Sequence, residues 1–303
     1  MARFSLRDDI PLKPEEYRLL RDVFSARIGV QFGSESRFAM ERRLRERLAI
    51  LKLTTFAEYY QYLRFHPLAN AEWEEAIELL TTNETYFFRE DYQLRSFKGE
   101  VVPMLASQAK SRKRLSIWSA GCATGEEVYT IAILLLESNL FLGWDLRVYG
   151  SDISKRCVAA ARRGAYGQAA FRAMPEEYKR RYFTEKSDGI YVQERVRALC
   201  HFGQMNLLDE EKARLLGRAD AVFCRNVLIY FDAYARKRVI DIFHERLYPG
   251  GVLLLGHSES LLNVSTAFEL LHLREDLVYR KPLGPTRDPS KDPLRDSSKP
   301  TPA

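Results

Sequence analysis

The residues best suited to chemistry lie in Ser119-Ala-Gly-Cys-Ala-Thr-Gly-Glu-Glu127, where Gly121 and Gly125 frame a turn and two carboxylates follow it. Glycines let a backbone turn tightly and approach a ligand closely. A helix that opens at such a turn offers unpaired N–H groups. In dinucleotide enzymes this geometry cradles a pyrophosphate behind a G-x-G-x-x-G pattern. Here the spacing is G-x-x-x-G, and Glu126 and Glu127 would repel a pyrophosphate. They suit a ligand with a positive charge, an amine and ribose hydroxyls, and S-adenosylmethionine carries all three. Asp152 follows the run Leu146-Arg-Val-Tyr-Gly150 and stands where an acidic residue accepts hydrogen bonds from ribose hydroxyls. The loop has a plainer reading too, since glutamate in a first helical turn favours the macrodipole.

The surrounding pattern decides between the two. Short apolar runs at Leu115–Ser119, Leu146–Gly150, Ala219–Cys224 and Gly251–Gly256 alternate with helical stretches. Such alternation predicts an α/β fold of Rossmann type, a parallel sheet that binds ligands at the carboxyl ends of its strands. Leu277–Arg280 reads as a late edge strand. Before this region, from Lys13 to about Leu80, apolar residues recur at helical spacing and predict a small all-helical domain, with Ser34 or Ser36 as cap of the helix from Arg37 to Leu51. The expected divisions are a helical domain at 1–85, a linker helix at 86–110 and a Rossmann-type cofactor-binding domain at 111–281. A small antiparallel β-subdomain is expected to be inserted at about 182–202, around the turn Ser187-Asp-Gly189. Six of the twelve prolines fall at or after Pro282, so 282–303 reads as a disordered tail.

Bulk composition narrows the class. The chain has 303 residues, 46% hydrophobic and 29% charged, which fits a globular protein of two domains. No apolar run is long enough to span a bilayer, and the first residues lack the apolar stretch of a signal peptide. Cys122, Cys157, Cys200 and Cys224 are scattered without a C-x-x-C pair, as expected of reduced thiols in a cytoplasm and of no metal site. The net charge of +6 is too modest, without an accompanying motif, to indicate nucleic acid. A monomer is expected.

Further segments are more specific. Thr81-Thr-Asn-Glu-Thr-Tyr-Phe-Phe-Arg-Glu90 and Phe223-Cys-Arg-Asn-Val-Leu-Ile-Tyr-Phe231 accompany the glycine loop, Gly150-Ser-Asp-Ile153, Asn206-Leu-Leu208 and Gly256-His-Ser-Glu259. In this order, from about Tyr17 to Arg280, they resemble the CheR family of chemotaxis protein-glutamate O-methyltransferases. The resemblance implies S-adenosylmethionine as cofactor and S-adenosylhomocysteine as product. It implies glutamates on the cytoplasmic helical region of chemoreceptors as substrate. It implies cofactor contacts at Asn83, Thr85, Arg89, Glu127, Asp152, Asn206, Leu207, Arg225 and Asn226, beside Gly121 of the loop, and it places Arg89 and Tyr230 nearest the reacting centre. Without it, Thr81–Glu90 would read as a helix start capped by Thr82 or Asn83.

The residue inventory is compatible with that reaction. A free glutamate, with pKa about 4.3, is ionised at neutral pH and needs no general base. An arginine can hold a carboxylate bidentately and a tyrosine hydroxyl can orient it, which are the roles expected of Arg89 and Tyr230. Arg37, Arg42, Arg43, Arg45 and Arg47 crowd one helix and are expected to dock an acidic receptor helix. The connection Thr184-Glu-Lys-Ser-Asp-Gly189 is short with one glycine, unlike the longer glycine-rich turn of relatives that hold a receptor's C-terminal peptide, so no such tether is expected. Two alternatives stay open: a methyltransferase of RNA or a small molecule, and an inactive receptor-docking scaffold.

Overall fold

The computed structural model describes residues 10–284. Most of the expected tail, from residue 285 on, lies outside them. The first part is four helices: α1 (Pro14–Ile28), α2 (Ser36–Leu51), α3 (Phe56–Phe65) and α4 (Ala69–Leu80). Pro14 opens α1, where a missing N–H costs nothing, and Gly29 ends it at φ 73°. Tyr17, Leu20, Phe24, Leu44, Leu48, Phe56, Tyr59 and Trp73 meet in one core of their own. Neither serine caps α2. Its N-cap is Glu35, already in a right-handed helical conformation, and the Glu35 side chain makes no capping hydrogen bond.

From Thr81 to Tyr86 the chain is not helical, so neither Thr82 nor Asn83 starts a helix. α5 (Asp91–Ser96) then runs through a π-helical turn, Phe97–Val101, into α6 (Val102–Gln108). The expected linker helix is part of the second domain. Leu94, Phe97, Val101, Val102 and Leu105 are buried in the same core as Leu115 and Ile117, and the extra residue of the π turn brings Phe97 against Phe223, ring centroids 4.9 Å apart.

The second domain alternates as expected: β1 (Arg114–Ala120), α7 (Glu126–Ser138), β2 (Asp145–Asp152), α8 (Lys155–Arg163), β3 (Ala165–Tyr166), α9 (Glu176–Tyr182), β4 (Phe183–Lys186), β5 (Gly189–Val192), α10 (Glu194–Arg197), β6 (Cys200–Gln204), α11 (Glu210–Leu215), β7 (Ala219–Cys224), α12 (Ala233–Arg246), β8 (Leu247–Leu255), β9 (Glu269–His272) and β10 (Leu277–Arg280). The main sheet has the order β6-β2-β1-β7-β8-β10-β9. β6 to β8 are parallel, and β10 and β9 are antiparallel additions. Alternation along β1 sends Leu115 and Ile117 to one core and Trp118 and Ala120 to the other, which puts a hydrophobic layer on each face of the sheet. The strand order reverses between β1 and β7, so a crevice opens at their carboxyl ends.

Two boundaries depart from expectation. The inserted sheet is β3-β5-β4, and its first strand begins at Ala165. Cys200–Gln204 belongs to the main sheet as its edge, paired with β2, so the insertion lies earlier than 182–202. β10 is no edge strand, because β9 pairs outside it.

Candidate active site

The carboxyl ends of β1, β2 and β7, the Thr81–Glu90 segment and the end of α1 line one cleft. Gly121 (φ 78°) and Gly125 (φ 94°) take left-handed conformations that glycine adopts without strain. The N–H groups of Gly121 and Cys122 both donate to the Ser151 carbonyl, which ties the loop to the end of β2. A β-carbon on Gly121 would come within 2.5 Å of the Val227 side chain. Asp152 is buried, and its carboxylate accepts from Ala123 N at 2.8 Å and Ser154 N at 2.9 Å. Burial raises its pKa, so the ionised form benefits from a ligand donor at its remaining lone pairs.

The two glutamates part company. Glu127 faces the cleft and accepts from Ser119 Oγ at 2.7 Å and from Arg225 Nη1 at 3.1 Å. Glu126, a third of a helical turn away, is buried outside the cleft lining and accepts from Thr124 Oγ1 at 2.7 Å. The expected pair of ligand-facing carboxylates is therefore one. Burial pushes the Glu126 carboxyl above its ordinary range. An acid whose pKa is raised by folding loses stability as pH climbs from its unfolded value through its folded value. Glu126→Gln, which keeps an acceptor for Thr124 and does not titrate, is expected to unfold at higher urea than the parent at pH 7. That advantage should shrink toward pH 4. A less stable variant at pH 7 would contradict the assignment.

Thr81–Glu90 forms one wall, with Asn83, Thr85, Tyr86 and Arg89 lining the cleft. Phe87 anchors the wall: its N–H donates to Ala170 O, and its ring meets Tyr166, Phe171 and Phe183 of the insertion at 4.9–5.0 Å. Phe88 and Glu90 on either side of Arg89 have φ of 59° and 55°. Side chains rarely adopt that region, and such strain collects at functional sites. Arg89 Nη1 donates to Glu84 O at 3.1 Å, and its guanidinium lies 5.8 Å from the Tyr86 ring centre.

The Arg225–Tyr230 segment forms the opposite wall. The Arg225 side chain is 2% exposed. It donates to Gln93 Oε1 (2.8 Å), Glu127 Oε2 (3.1 Å), Arg89 O (2.7 Å) and Glu90 Oε2 (3.1 Å). Its guanidinium is thus spent on holding the two walls together. Asn226 (φ 59°) directs its Nδ2 to Glu90, while its Oδ1 is buried with no partner among the described residues. Tyr230 is 39% exposed at the rim. Asn206 and Leu207 line the cleft, but the Asn206 amide is engaged: Nδ2 donates to Arg27 O at 2.7 Å and Oδ1 accepts from Leu208 N.

The helical domain completes the cleft through Ile28 and Val30, which carry no sequence signal beyond being apolar. Val30 bridges Phe231, Gln31 N donates to Tyr230 O, and Asp232 N donates to Gly29 O. Glu78 on α4 accepts from Ser154 Oγ and Arg156 N. Of the α2 arginines, Arg47 forms a bidentate pair with Glu72, itself 3% exposed; Arg45 pairs with Glu41; and Arg43 donates to Leu80 O. These three serve the fold, contrary to the docking role expected of the whole set. Arg42 is exposed, and Arg37 lies over Phe38.

Comparison with known proteins is decisive at this point. Residues 83–277 match the family model for the CheR methyltransferase SAM-binding domain, and residues 15–81 match that for the CheR methyltransferase all-alpha domain. This chain belongs to the CheR methyltransferase family. A chemotaxis protein methyltransferase 2 of Vibrio cholerae is 35% identical over 277 residues, covering 91% of this chain and 96% of that one. A chemotaxis protein methyltransferase of Klebsiella aerogenes is 35% identical over 275 residues, covering 89% and 90%. The two CheR models meet at Thr82, where α4 gives way to the cleft wall. The chain is thus an S-adenosylmethionine-dependent methyltransferase. The unpartnered Asn226 Oδ1, the cleft-facing carboxylates of Glu127 and Asp152, and apolar Ile28 and Val30 fit a ligand with N–H and O–H donors, a positive charge and an adenine ring.

Proposed function

We propose that the enzyme methylates glutamate side chains on the cytoplasmic helical region of chemoreceptors, forming glutamyl methyl esters. The observation that carries this reading is the position of Arg89 and Tyr230 along one cleft with Glu127 and Asp152. When bound, S-adenosylmethionine would supply an electrophilic sulfonium methyl, whose carbon bonds to a carboxylate oxygen as its bond to sulfur breaks, with S-adenosylhomocysteine as the leaving group. Asp152 takes ribose hydroxyls, and Glu127 takes the donor's amine. Asn83, Thr85, Gly121, Asn206, Leu207, Arg225 and Asn226 complete the donor's surroundings, Arg225 through the walls it joins. Arg89 grips the acceptor carboxylate, and Tyr230 orients it with one hydrogen bond. The glutamate is already ionised, so the protein's contribution is alignment and exclusion of water. The relatives' chemotaxis names support a receptor as the acceptor.

Labelled S-adenosylmethionine, incubated with the enzyme and membranes of the source cells, is expected to label a receptor-sized band that mild base strips. Base-stable label, or none, would contradict the proposal.

Docking falls to Arg42 and Arg37: among the described residues neither makes an ion pair, and neither donates to a main-chain carbonyl as Arg43 does. Arg42→Glu is expected to raise KM for the receptor about threefold to tenfold at low salt, with kcat unchanged and the effect fading as salt rises. An unchanged KM at low salt would remove α2 from the docking surface. The β4–β5 connection is the two-residue turn Ser187-Asp188, too short for a peptide-holding loop, and we extend the proposal to docking without a C-terminal tether.

A further inference from the structure

The Glu259 carboxylate does unusual structural duty. It accepts four main-chain N–H groups: Gly256 (2.7 Å) and Asn226 (2.8 Å) at Oε2, and Val227 (2.9 Å) and Ile229 (3.2 Å) at Oε1. The first comes from its own turn, in which Glu259 N donates to Gly256 O. The other three come from the cleft wall that follows β7. Glycine is required at 256, because a β-carbon would lie 2.7 Å from Asn226 N and 2.8 Å from Glu259 Oε2.

This bonding reaches the reacting end of the cleft. Asn226 is held in its left-handed conformation with Oδ1 unpartnered. Val227 packs against Gly121 of the donor loop. The turn Leu228–Tyr230 is closed by Tyr230 N donating to Val227 O, and Tyr230 O accepts from Gln31 N of the helical domain. The wall's own backbone offers few alternatives for these amides. Charged acceptors hold N–H groups about twice as strongly as neutral ones, so one carboxylate fixes the whole segment.

We propose that Glu259 is a positioning residue for methyl transfer: its carboxylate organises the amides of residues 226–229 and thereby sets where Tyr230 meets the acceptor. Glu259 does not line the donor cleft. The proposal rests on the reading of Tyr230 as the group that orients the acceptor. A carboxamide at 259 turns an N–H₂ toward amides that need an acceptor, which frees the segment while keeping the side chain's size.

The test is a double-mutant cycle on the full chain with Glu259→Gln, Tyr230→Phe and the pair. Glu259→Gln is expected to lower kcat by about tenfold or more, since misplacement by 1 Å costs of order a hundredfold. S-adenosylhomocysteine affinity, by titration calorimetry, should change by less than about threefold, and the double variant should be scarcely slower than the slower single one. Gly256→Ala should reproduce the same split. A kcat within about twofold of the parent, or a parallel fall of kcat, affinity and melting temperature in both variants, overturns the proposal. Additive losses overturn its route through Tyr230. A silent Tyr230→Phe sinks the reading of that tyrosine alone, and Glu259→Gln is then judged on the split between rate and affinity.

Discussion

Arg225→Leu is expected to destabilise the protein by about 3–5 kcal/mol and to abolish methyl transfer. Removing one member of a buried ion pair leaves the other desolvated and uncompensated, and that penalty exceeds what the intact pair contributes. Here two carboxylates are stranded, Glu127 and Glu90, together with the Gln93 side chain and the Arg89 carbonyl. Lysine should not rescue, because three donors on a point charge cannot replace a planar fork serving four acceptors. Urea denaturation measures the loss. A cost below about 1 kcal/mol, the range of exposed pairs, would show that the walls are held by something else. The consequence for the site is indirect but large: Arg225 holds the main-chain carbonyl of Arg89, so wall and donor pocket fail together.

Arg89→Ala is the second large effect. With the backbone around it held by Phe87, Phe88 and Arg225, the substitution removes a guanidinium without dismantling the wall. The expected fall in kcat/KM is about a hundredfold, the order lost when a reactant is no longer aligned. S-adenosylhomocysteine should weaken by no more than about tenfold, equivalent to about 1.4 kcal/mol. Equal losses in both would make Arg89 a donor contact and leave the acceptor carboxylate without its proposed partner.

Much of this arrangement was legible from local pattern. Gly121, Gly125 and Asp152 fall where a strand, a turn and a helix must put them, because the sheet's periodicity of two and the helix's of 3.6 constrain the connections. The hidden parts were non-local. Arg47 reads as a free cation until Glu72, 25 residues away, takes it. Glu126 and Glu127 look equivalent until the helix sends one into the core. Cys200-His-Phe-Gly-Gln204 lacks the apolar run of a buried strand because it lies at a sheet edge, and so it reads as part of the insertion. Ile28 and Val30 join the cleft through one bridge to Phe231. Glu259 lay within a recognised motif, but its four amide partners appear only when the ends of β7 and β8 stand side by side.

The most direct measurement is a crystal structure of the protein with S-adenosylhomocysteine. The account predicts ribose hydroxyls on Asp152, the amine on Glu127, a ligand donor on Asn226 Oδ1, and the sulfur directed toward the space between Arg89 and Tyr230. A ligand bound outside this cleft, or one whose sulfur faces away from those two side chains, would contradict it.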